Sequence, residues 1–559
     1  MTITRQFPEA ARKFGEMLKH AEVAGVDVRL DLGRVYDLAG KPDDAIRNYL
    51  IAAQGPPKNA AAWLRLAVLY SQRSDAKDAD RAFDEAERLY ELRSNQEGLT
   101  EVAYQRGVAA NRRGQMQAAD GFLGKALRIA QDTQNVQQEI RAKLQLGATA
   151  FLSGDADSAQ RYAQEAIDAA TLNRVQSLAT RSLLQLGDAF RRKQDFEQAQ
   201  KYYERGLSLA RQDDSRRLVA YAMFGLAGLH EQEKRIDKWE PEAQEALTFF
   251  QQNNFARESM QCLVLLGRAK GYQGQYDVAS GFFGQRLAVA EKLQDRFQIM
   301  LAQEGMGYVL LERERFPEAL EHYERDLELG TALRDVEHVG YAALNCGTAL
   351  WRLGRYREAH LRFAQAEGAA AKFEDLRFAI SQERADLALS EGKYPEAVAT
   401  CSRLLSHTKA DELDTVADLN RVLGLALIRM GRKQEGRRRC ERAVAIVAVP
   451  NVTVLASTLA VAEARLETGD CRAALAAVQA AENQLTGLPD SNWRAKVLEA
   501  RASEALGDRG AARREALVAQ AQLQEIQRQW GESVFQSYHA RPDLQRLWRP
   551  LLQMVSANH

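Results

Sequence analysis

A small residue, almost always alanine, recurs along this chain at a nearly constant interval. The interval is 34 residues between Ala45 and Ala79, 40 residues for most of the following repeats, and 38 or 39 residues after Ala359. A period of this length is the signature of a solenoid, so it constrains the fold more strongly than any local motif. With one interrupted repeat counted near Trp239, we predict thirteen repeats. The recurring position holds Ala45, Ala79, Ala119, Ala159, Ala199, Ala279, Ala319, Ala359, Ala397, Gly436, Ala474 and Ala512.

Each repeat contains two stripes of apolar residues at helical spacing. In the fifth repeat, Leu183, Gly187 and Phe190 follow the i, i+4, i+7 spacing that places side chains on one face of a helix. A second stripe, which includes Ala199 and Tyr203, follows the turn. Two helix backbones cross closely only where no large side chain intervenes, which explains the Gly and the Ala. We therefore predict a helical hairpin in each repeat, and stacked hairpins that share one core.

The Leu-Gly pair, the Gly-Asp or Gly-Arg turn, the following aromatic residue and the Ala together resemble the tetratricopeptide repeat (TPR) family. Residues 146–162 show the pattern, and the resemblance covers roughly residues 7–525. The period of about 40 residues exceeds the common form of about 34. In this it resembles the extended subtype of Pins-type polarity adaptors and, less closely, kinesin light chains. The resemblance implies an all-α, TPR-like α-solenoid, a right-handed superhelix whose first helices line a concave groove that binds peptides.

We expect four segments along the chain. An N-terminal half-repeat helix occupies residues 1–29, repeats one to six occupy 30–238, repeats seven to thirteen occupy 239–525, and a capping helix and tail occupy 526–559. The half-repeat is either the end of a longer architecture or a helix that packs on another chain. The tail resembles the ends of TPR arms in bacterial signalling proteins, including some serine/threonine kinases, but the sequence contains no kinase motif.

The sixth repeat departs from the pattern. Trp239 stands where the other repeats have Ala, and the Pro-Glu-Ala run that starts at Pro241 comes four residues late. Four residues make about one helical turn. We therefore expect the first helix of this repeat to be one turn longer, the second to be shorter, and the array to bend there.

The charge of the chain is balanced, with 76 basic and 76 acidic side chains. A formal net charge of zero gives no general attraction to nucleic acids or acidic membranes, so we expect neither as a partner. The basic run between Arg432 and Arg442 is interleaved with Glu435 and Glu441, which favours a solvated helix face over nucleic-acid contact. No part of the sequence approaches the ~18 consecutive apolar residues of a membrane span.

The five cysteines are dispersed, and four of them stand at apolar positions of the repeat. This distribution favours core packing in a reducing compartment over a metal site or a disulfide framework. The N-terminus shows no basic and then apolar leader, so we expect a cytoplasmic protein. The Ala-rich and Arg-rich composition indicates a bacterial source.

The motifs of common enzymes are missing from the sequence. It contains no phosphate loop and no Gly-x-Ser-x-Gly nucleophile elbow, and the run that starts at His230 lacks the second His of a zinc-protease helix. His322 and His338 lie in different predicted helices, which favours ordinary surface or core histidines. We therefore predict a protein that is not an enzyme and holds no cofactor or metal.

A ladder of amides marks the candidate ligand site. Gln105, Gln145 and Gln185 recur at 40-residue intervals, each two residues before a Gly, and Asn345 holds the same position. An amide offers a donor and an acceptor, as pairing with an extended peptide backbone requires, and neighbouring arginines suit acidic side chains. In Pins-type adaptors an Asn at this position often grips the ligand backbone, so the resemblance carries over to Asn345 directly and to the glutamines in part. The full candidate set is Gln105, Asn111, Arg112, Arg141, Gln145, Arg181, Gln185, Asp188, Arg191, Tyr308, Asn345 and Trp351.

Two functional hypotheses follow. In the first, the protein is a peptide-binding scaffold or adaptor that holds an extended, acidic segment of a protein partner, with Tyr308 and Trp351 as apolar anchors. Packing between repeats is the alternative role for these aromatic residues. In the second hypothesis, the chain is a self-associating or regulatory arm whose terminal helices form a homodimer or pack on a catalytic signalling partner.

Overall fold

The computed structural model describes residues 7–20, 25–39, 41–56, 58–409, 412–446 and 452–556. Within these ranges the chain forms helices joined by short turns, with no β-strand. The prediction of an all-α, TPR-like α-solenoid is therefore confirmed.

The helices follow one another as hairpins. Helix α1 comes first, the pairs α2/α3 to α26/α27 form thirteen hairpins, and α28 and α29 end the chain. The number of hairpins is the number that the spacing of the small residues predicts. The helices of the first part are α1 Phe7–His20, α2 Gly25–Leu38, α3 Pro42–Gln54, α4 Ala60–Gln72, α5 Ala76–Leu92, α6 Gln96–Arg112, α7 Met116–Asp132, α8 Val136–Leu152, α9 Ala156–Leu172, α10 Gln176–Arg192, α11 Phe196–Gln212, α12 Arg216–Gln232, α13 Ile236–Gln252, α14 Ala256–Tyr272 and α15 Tyr276–Lys292. They are followed by α16 Arg296–Glu312, α17 Phe316–Leu333, α18 Val336–Arg352, α19 Tyr356–Ala369, α20 Glu374–Glu391, α21 Tyr394–Leu405, α22 Leu413–Arg429, α23 Lys433–Ile446, α24 Val452–Glu467, α25 Cys471–Leu485, α26 Pro489–Ala505, α27 Arg509–Trp530, α28 Glu532–His539 and α29 Pro542–Ser556.

The Gly-Asp pair of the repeat builds the turn between the two helices of a hairpin. Gly154 has a positive φ of 82°, a backbone conformation that favours glycine. Asp155 follows, and its backbone N–H donates to the carbonyl of Ala150 over 2.9 Å. The Asp155 carboxylate then accepts from the N–H of Ser158 over 3.0 Å and caps α9. One residue therefore ends the first helix and the next begins the second.

The recurrent glycine of the first helix makes room for the aromatic residue of the second. A Cβ on Gly187 would lie 2.7 Å from Cε1 of Tyr203, closer than packed carbon atoms approach. Tyr203 is only 1% exposed, so its ring has little room to move away. The Leu-Gly pair and the aromatic position are thus two halves of one contact.

In the sixth repeat, the expected change in helix length is wrong. Helices α12 and α13 both have 17 residues, the same length as in the preceding repeat. The side-chain sizes change instead. Trp239 fills the position of the small Ala199, Ala243 takes the aromatic position of Tyr203, and both are buried. Because the total volume is nearly kept, the register of the helices is unchanged.

Of the four cysteines at apolar positions of the repeat, Cys346, Cys401 and Cys440 are buried in these cores as expected, and Cys471 is partly buried. Cys262, outside that set, is buried as well. Burial raises the pKa of the Cys262, Cys346 and Cys440 thiols to about 12, so these side chains stay protonated and behave as small apolar groups.

The chain forms two compact bodies. The N-terminal body comprises Met1–Ala269 and Gly281–Ala302, and the C-terminal body comprises Lys270–Ser280 and Gln303–His559. In the N-terminal body, the turn between α15 and α16 reaches the first repeats. There the Gln294 amide donates to the Asp43 carboxylate over 3.3 Å.

In the C-terminal body, the last two helices complete the core. Helix α29 packs on α20, α26 and α27. The Trp530 ring packs at a tilt on Phe316 with centroids 5.7 Å apart, and it contacts Tyr538 of α28 edge to face at 5.0 Å. Leu544 and Leu551 of α29 are buried in the same cluster. The apolar stripe of the tail is therefore covered by the chain's own repeats.

Candidate functional site

The glutamine ladder lies on the first helices of repeats three to five. Gln105, Gln145 and Gln185 occupy α6, α8 and α10, and all three are partly buried. The Gln105 amide donates to the carboxylate of Glu101 over 2.8 Å. The Gln185 amide donates to the backbone carbonyl of Leu144 in the preceding repeat. Part of the hydrogen-bonding capacity of the ladder is thus used between repeats.

Two amide oxygens of the candidate residues have no hydrogen-bond partner within the described ranges. Asn111 is buried, and its amide donates to the Thr149 hydroxyl over 2.8 Å. Among the described residues, neither its Oδ1 nor the Oε1 of Gln185 has a hydrogen-bond partner, although both atoms are buried. A buried acceptor without a donor is costly, so these two oxygens are the atoms of the ladder with most to gain from a ligand N–H.

Arg141 is already paired within the chain. Its guanidinium bonds to the Glu101 carboxylate over 2.9 Å and lies over the ring of Tyr104 at 4.5 Å. Burial raises the pKa of Glu101, but the hydrogen bonds from Arg141 and Gln105 outweigh it and keep that pKa below its usual value. Arg141 therefore links two first helices.

Asp188 and Arg191 form a second internal cluster with Tyr203. The Tyr203 hydroxyl donates to Asp188 over 2.5 Å, and the Arg191 guanidinium lies 3.8 Å from the same carboxylate. Burial raises the pKa of Asp188 despite the opposing charge of Arg191. Arg181, on the same helix, is exposed. This cluster therefore fixes α10 against α11.

Arg112 differs from the other predicted arginines. It lies in the last turn of α6, and its Nη1 is buried without a hydrogen-bond partner among the described residues. Burial, and then the charge of Arg257, lower the pKa of Arg112 to about 10. Arg112 therefore stays protonated at neutral pH and carries a charge that the described part of the chain leaves incompletely neutralised.

The charges of Arg257 and Asp295 act on Arg112. Arg257 lies in the first turn of α14, and its Nη2 is 3.6 Å from the Asp295 carboxylate. Asp295 precedes α16 and is 3% exposed, and its other oxygen accepts from the N–H of Gln298 over 3.2 Å. Sequence reasoning missed both residues, because they belong to repeats seven and eight and no local pattern connects them with Arg112.

The remaining predicted residues lie in the C-terminal body. Tyr308 on α16 is 38% exposed and Asn345 on α18 is partly buried. Trp351 is 2% exposed, and its indole N–H donates to Glu383 over 3.1 Å. The guanidiniums of Arg352 and Arg541 lie over the Trp351 ring at 4.2 and 5.4 Å. The indole therefore packs within the chain.

A segment of the chain itself lies on the first helices of the C-terminal body. Arg541, between α28 and α29, is 2% exposed and donates to the backbone carbonyl of Arg352 over 2.7 Å. It also pairs with Asp543 over 2.8 Å, and the Ser390 hydroxyl donates to Asp543 over 3.0 Å. Arg352 and Ser390 belong to the first helices α18 and α20. These faces hold a polar chain segment in this molecule.

Neighbouring charges on this face of the C-terminal body are paired as well. Arg421 bonds to both oxygens of Asp386 over 2.9 and 2.8 Å and to Asp418 over 2.6 Å. The Trp493 indole donates to the Tyr538 hydroxyl over 2.7 Å, and this hydroxyl donates to Asp490. The buried cations and carboxylates thus neutralise each other across several repeats.

The described residues offer neither a metal-ligand cluster nor a membrane-spanning helix. Among the described residues, no three His, Cys, Asp or Glu side chains come together in a way that could hold a metal ion. In the same part of the chain, the helices are too short or too polar to cross a bilayer.

Comparisons with known proteins identify the repeats. Models of the tetratricopeptide repeat match residues 30–97, 182–217, 298–372 and 344–414, so these stretches are tetratricopeptide repeats, as predicted. No curated protein matches the sequence.

Several solved structures share similarity with parts of the chain. The quorum sensor NprR from B. thuringiensis is 13% identical, with a TM-score of 0.45, over 64% of this chain and 99% of that one. A Rap protein complexed with competence and sporulation factor is 14% identical, with a TM-score of 0.42, over 64% and 100%. Aspartyl phosphate phosphatase F from Bacillus subtilis is 11% identical, with a TM-score of 0.40, over 63% and 96%.

Proposed function

We propose that this protein is a non-enzymatic scaffold that holds an extended, acidic segment of a partner protein on the first helices of repeats three to five. The observation that carries the proposal is the set of unsatisfied buried atoms on this face. Asn111 Oδ1 and Gln185 Oε1 lack a donor, and Arg112 Nη1 lacks an acceptor, among the described residues. An extended peptide supplies backbone N–H groups that can donate to the two oxygens. An acidic peptide also supplies carboxylates that can accept from Arg112.

The C-terminal body supplies a precedent within the same chain. There Arg541 donates to a backbone carbonyl of a first helix and Asp543 accepts from Ser390 of the next. A peptide bound in the N-terminal body would use the same kinds of contact. Its backbone and side chains would bond to side chains and backbone groups of the repeats.

The other predicted residues keep roles in this proposal. Gln105, Gln145 and Arg181 line the ligand path. Arg141 joins the first helices α6 and α8, and the cluster of Asp188 and Arg191 with Tyr203 holds α10 against α11. Tyr308 and Asn345 are candidate contacts for a ligand on the C-terminal body. The likeness of Asn345 to the ligand-gripping Asn of Pins-type adaptors supports this assignment, whereas Trp351 supports the packing of that body.

The alternative function is an arm that acts through its terminal helices. At the C-terminal end, this requires α28 and α29 to leave their own repeats. Tyr538, Leu544 and Leu551 are each at most 1% exposed, so release would transfer large apolar surfaces to water. This packing favours the peptide-binding scaffold over an arm that acts through α28 and α29.

A peptide-display selection tests the proposal. Random twelve-residue peptides are selected on the full-length protein, and the affinities of the enriched peptides are measured by fluorescence anisotropy. We expect the enriched peptides to be acidic, and we expect the double variant Asn111→Ala, Gln185→Ala to bind them about tenfold more weakly, because each lost hydrogen bond contributes about 0.5–1.5 kcal/mol.

The matched control is the double variant Gln117→Ala, Gln212→Ala, which removes exposed amides from the second helices α7 and α11. It should bind like the wild type. Equal affinity of the peptides for all three proteins would contradict a site on repeats three to five.

A further inference from the structure

We propose that Arg112 and Arg257 together form a binding site for one carboxylate group of the bound peptide. This inference rests on the proposed function and makes it more specific, because it names the pair of side chains that selects an acidic ligand. The two residues belong to repeats three and seven, so the site exists only in the folded N-terminal body.

The first argument is the state of Arg112. A guanidinium has five N–H donors in a rigid fork, and a buried one normally spends them on carboxylates or carbonyls. Within the described ranges, the buried Nη1 of Arg112 has no acceptor. On the same face, Arg141 bonds to Glu101, and Arg191 lies beside Asp188 although its own Nε also lacks an acceptor among the described residues.

The second argument concerns Asp295, the carboxylate whose charge acts on Arg112. Asp295 pairs with Arg257 through one oxygen and caps α16 through the other. The charges of two guanidiniums therefore act on one carboxylate that already has hydrogen-bond and ion-pair partners.

The third argument is that Arg257 is incompletely neutralised. Burial lowers its pKa even though Asp295, Glu258 and Asp37 all act in the opposite direction. Glu258 is itself held by the Tyr221 hydroxyl. The side chain of Arg257 is 32% exposed, so a ligand can reach it from solvent. A carboxylate between Arg112 and Arg257 would accept charge-assisted hydrogen bonds from both.

A carboxylate of this kind comes either from an Asp or Glu side chain or from the C-terminus of a peptide. Three labelled probes separate the two sources: hexaglutamate with an amidated C-terminus, hexaglutamine with an amidated C-terminus, and hexaglutamine with a free C-terminal carboxylate. Their affinities for the full-length wild type are measured by fluorescence anisotropy at low salt, where charge recognition is strongest.

We expect amidated hexaglutamate to bind roughly tenfold or more tightly than amidated hexaglutamine. The variants Arg112→Gln and Arg257→Gln should each remove most of this difference. Arg205→Gln changes the net charge equally at an exposed position on α11, so it should leave the difference unchanged. If the two arginine variants weaken the binding of hexaglutamine with a free C-terminus but not that of amidated hexaglutamate, the site binds the C-terminal carboxylate of a chain.

A second measurement separates binding from folding. Because Arg112→Gln removes an unmatched buried charge, we expect it to keep or raise the unfolding temperature while it weakens hexaglutamate binding. A purely structural arginine would show the opposite, a lower unfolding temperature.

Two results would overturn the inference. If hexaglutamate binds both arginine variants as it binds the wild type, the carboxylate site is elsewhere, and the scaffold function still stands on the selected peptides. If hexaglutamate fails to bind the wild type while selected peptides do bind, the preference for a carboxylate at Arg112 and Arg257 is wrong.

Discussion

Arginines at the first helices of the two bodies have different partners. In the C-terminal body, Arg421 of α22 contacts Asp386 and Asp418, and Arg541, which lies between α28 and α29, contacts Asp543 and a backbone carbonyl of α18. In the N-terminal body, the described residues offer no acceptor to Nη1 of Arg112. Under the proposed function, one repeat design serves two purposes. Arginines paired within the chain hold a segment of that chain on the first helices, and an arginine with an unpaired Nη1 receives a partner.

The largest expected effect comes from removing a buried cation from the C-terminal body. The variant Arg541→Ala leaves the buried carboxylates of Asp543 and Asp490 without a cation that lowers the pKa of each. Loss of one partner from a buried ion pair costs about 3–5 kcal/mol. We expect a lower free energy of unfolding in urea, followed by the fluorescence of Trp493 and Trp530. Arg549→Ala, at an exposed position of α29, is the control, and an equal loss in both variants would contradict the comparison.

An intermediate effect should appear on changing the pH. Glu314 accepts the backbone N–H of Ser491 over 2.8 Å, and burial, followed by the charge of Asp490, raises the pKa of Glu314 to about 7. Since this pKa is raised above the unfolded value, the contribution of Glu314 to stability is complete below about pH 4.5 and is lost as the pH rises through about 7.

We therefore expect the free energy of unfolding to fall by about 2 kcal/mol between pH 5.5 and pH 8 through Glu314. Glu314→Gln, measured by urea unfolding at both pH values, should flatten that dependence. Glu312, whose pKa burial also raises to about 7, should keep part of it. A variant with the full wild-type slope would show that Glu314 titrates normally.

The smallest expected effect on stability comes from giving Arg112 a carboxylate partner within the chain, such as Arg421 and Arg541 already have. Val108 lies on α6, four residues before Arg112. In the variant Val108→Glu, a carboxylate at the i, i+4 position should pair with Arg112 and stabilise the helix by about 0.3–0.5 kcal/mol. The same pair should weaken hexaglutamate binding roughly tenfold, because Arg112 is then occupied.

Val108→Gln is the control, since it adds a polar side chain of the same length without the charge. Thermal unfolding and fluorescence anisotropy measure the two effects. Unchanged hexaglutamate binding by Val108→Glu would mean that Arg112 does not face the ligand.

The repeat architecture could be predicted because it depends on local rules. The spacing of the small residues defines thirteen hairpins, and the Gly154-Asp155 turn combines a left-handed residue with a helix cap. The sixth repeat could not be predicted, because a sequence shows that Trp239 is large but not that Ala243 beside it leaves the space.

The sequence places the candidate residues on the first helices but does not show which of them have partners within the chain, and their role in binding stays a prediction. The position of the glutamines on the first helices follows from the period of the repeats. What distinguishes Arg112 from Arg141 is the identity of its neighbours, Arg257 and Asp295, which come from distant repeats. The return of Arg541 to α18 likewise depends on contacts that no local pattern encodes.

The exchanged sizes of Trp239 and Ala243 have a consequence for how such repeats diverge. Either substitution alone would create a clash or a cavity, so the two positions must change together or through a destabilised intermediate. Such positions should covary between relatives instead of being conserved one by one. Pairwise covariation would be the more sensitive guide to repeats of this kind.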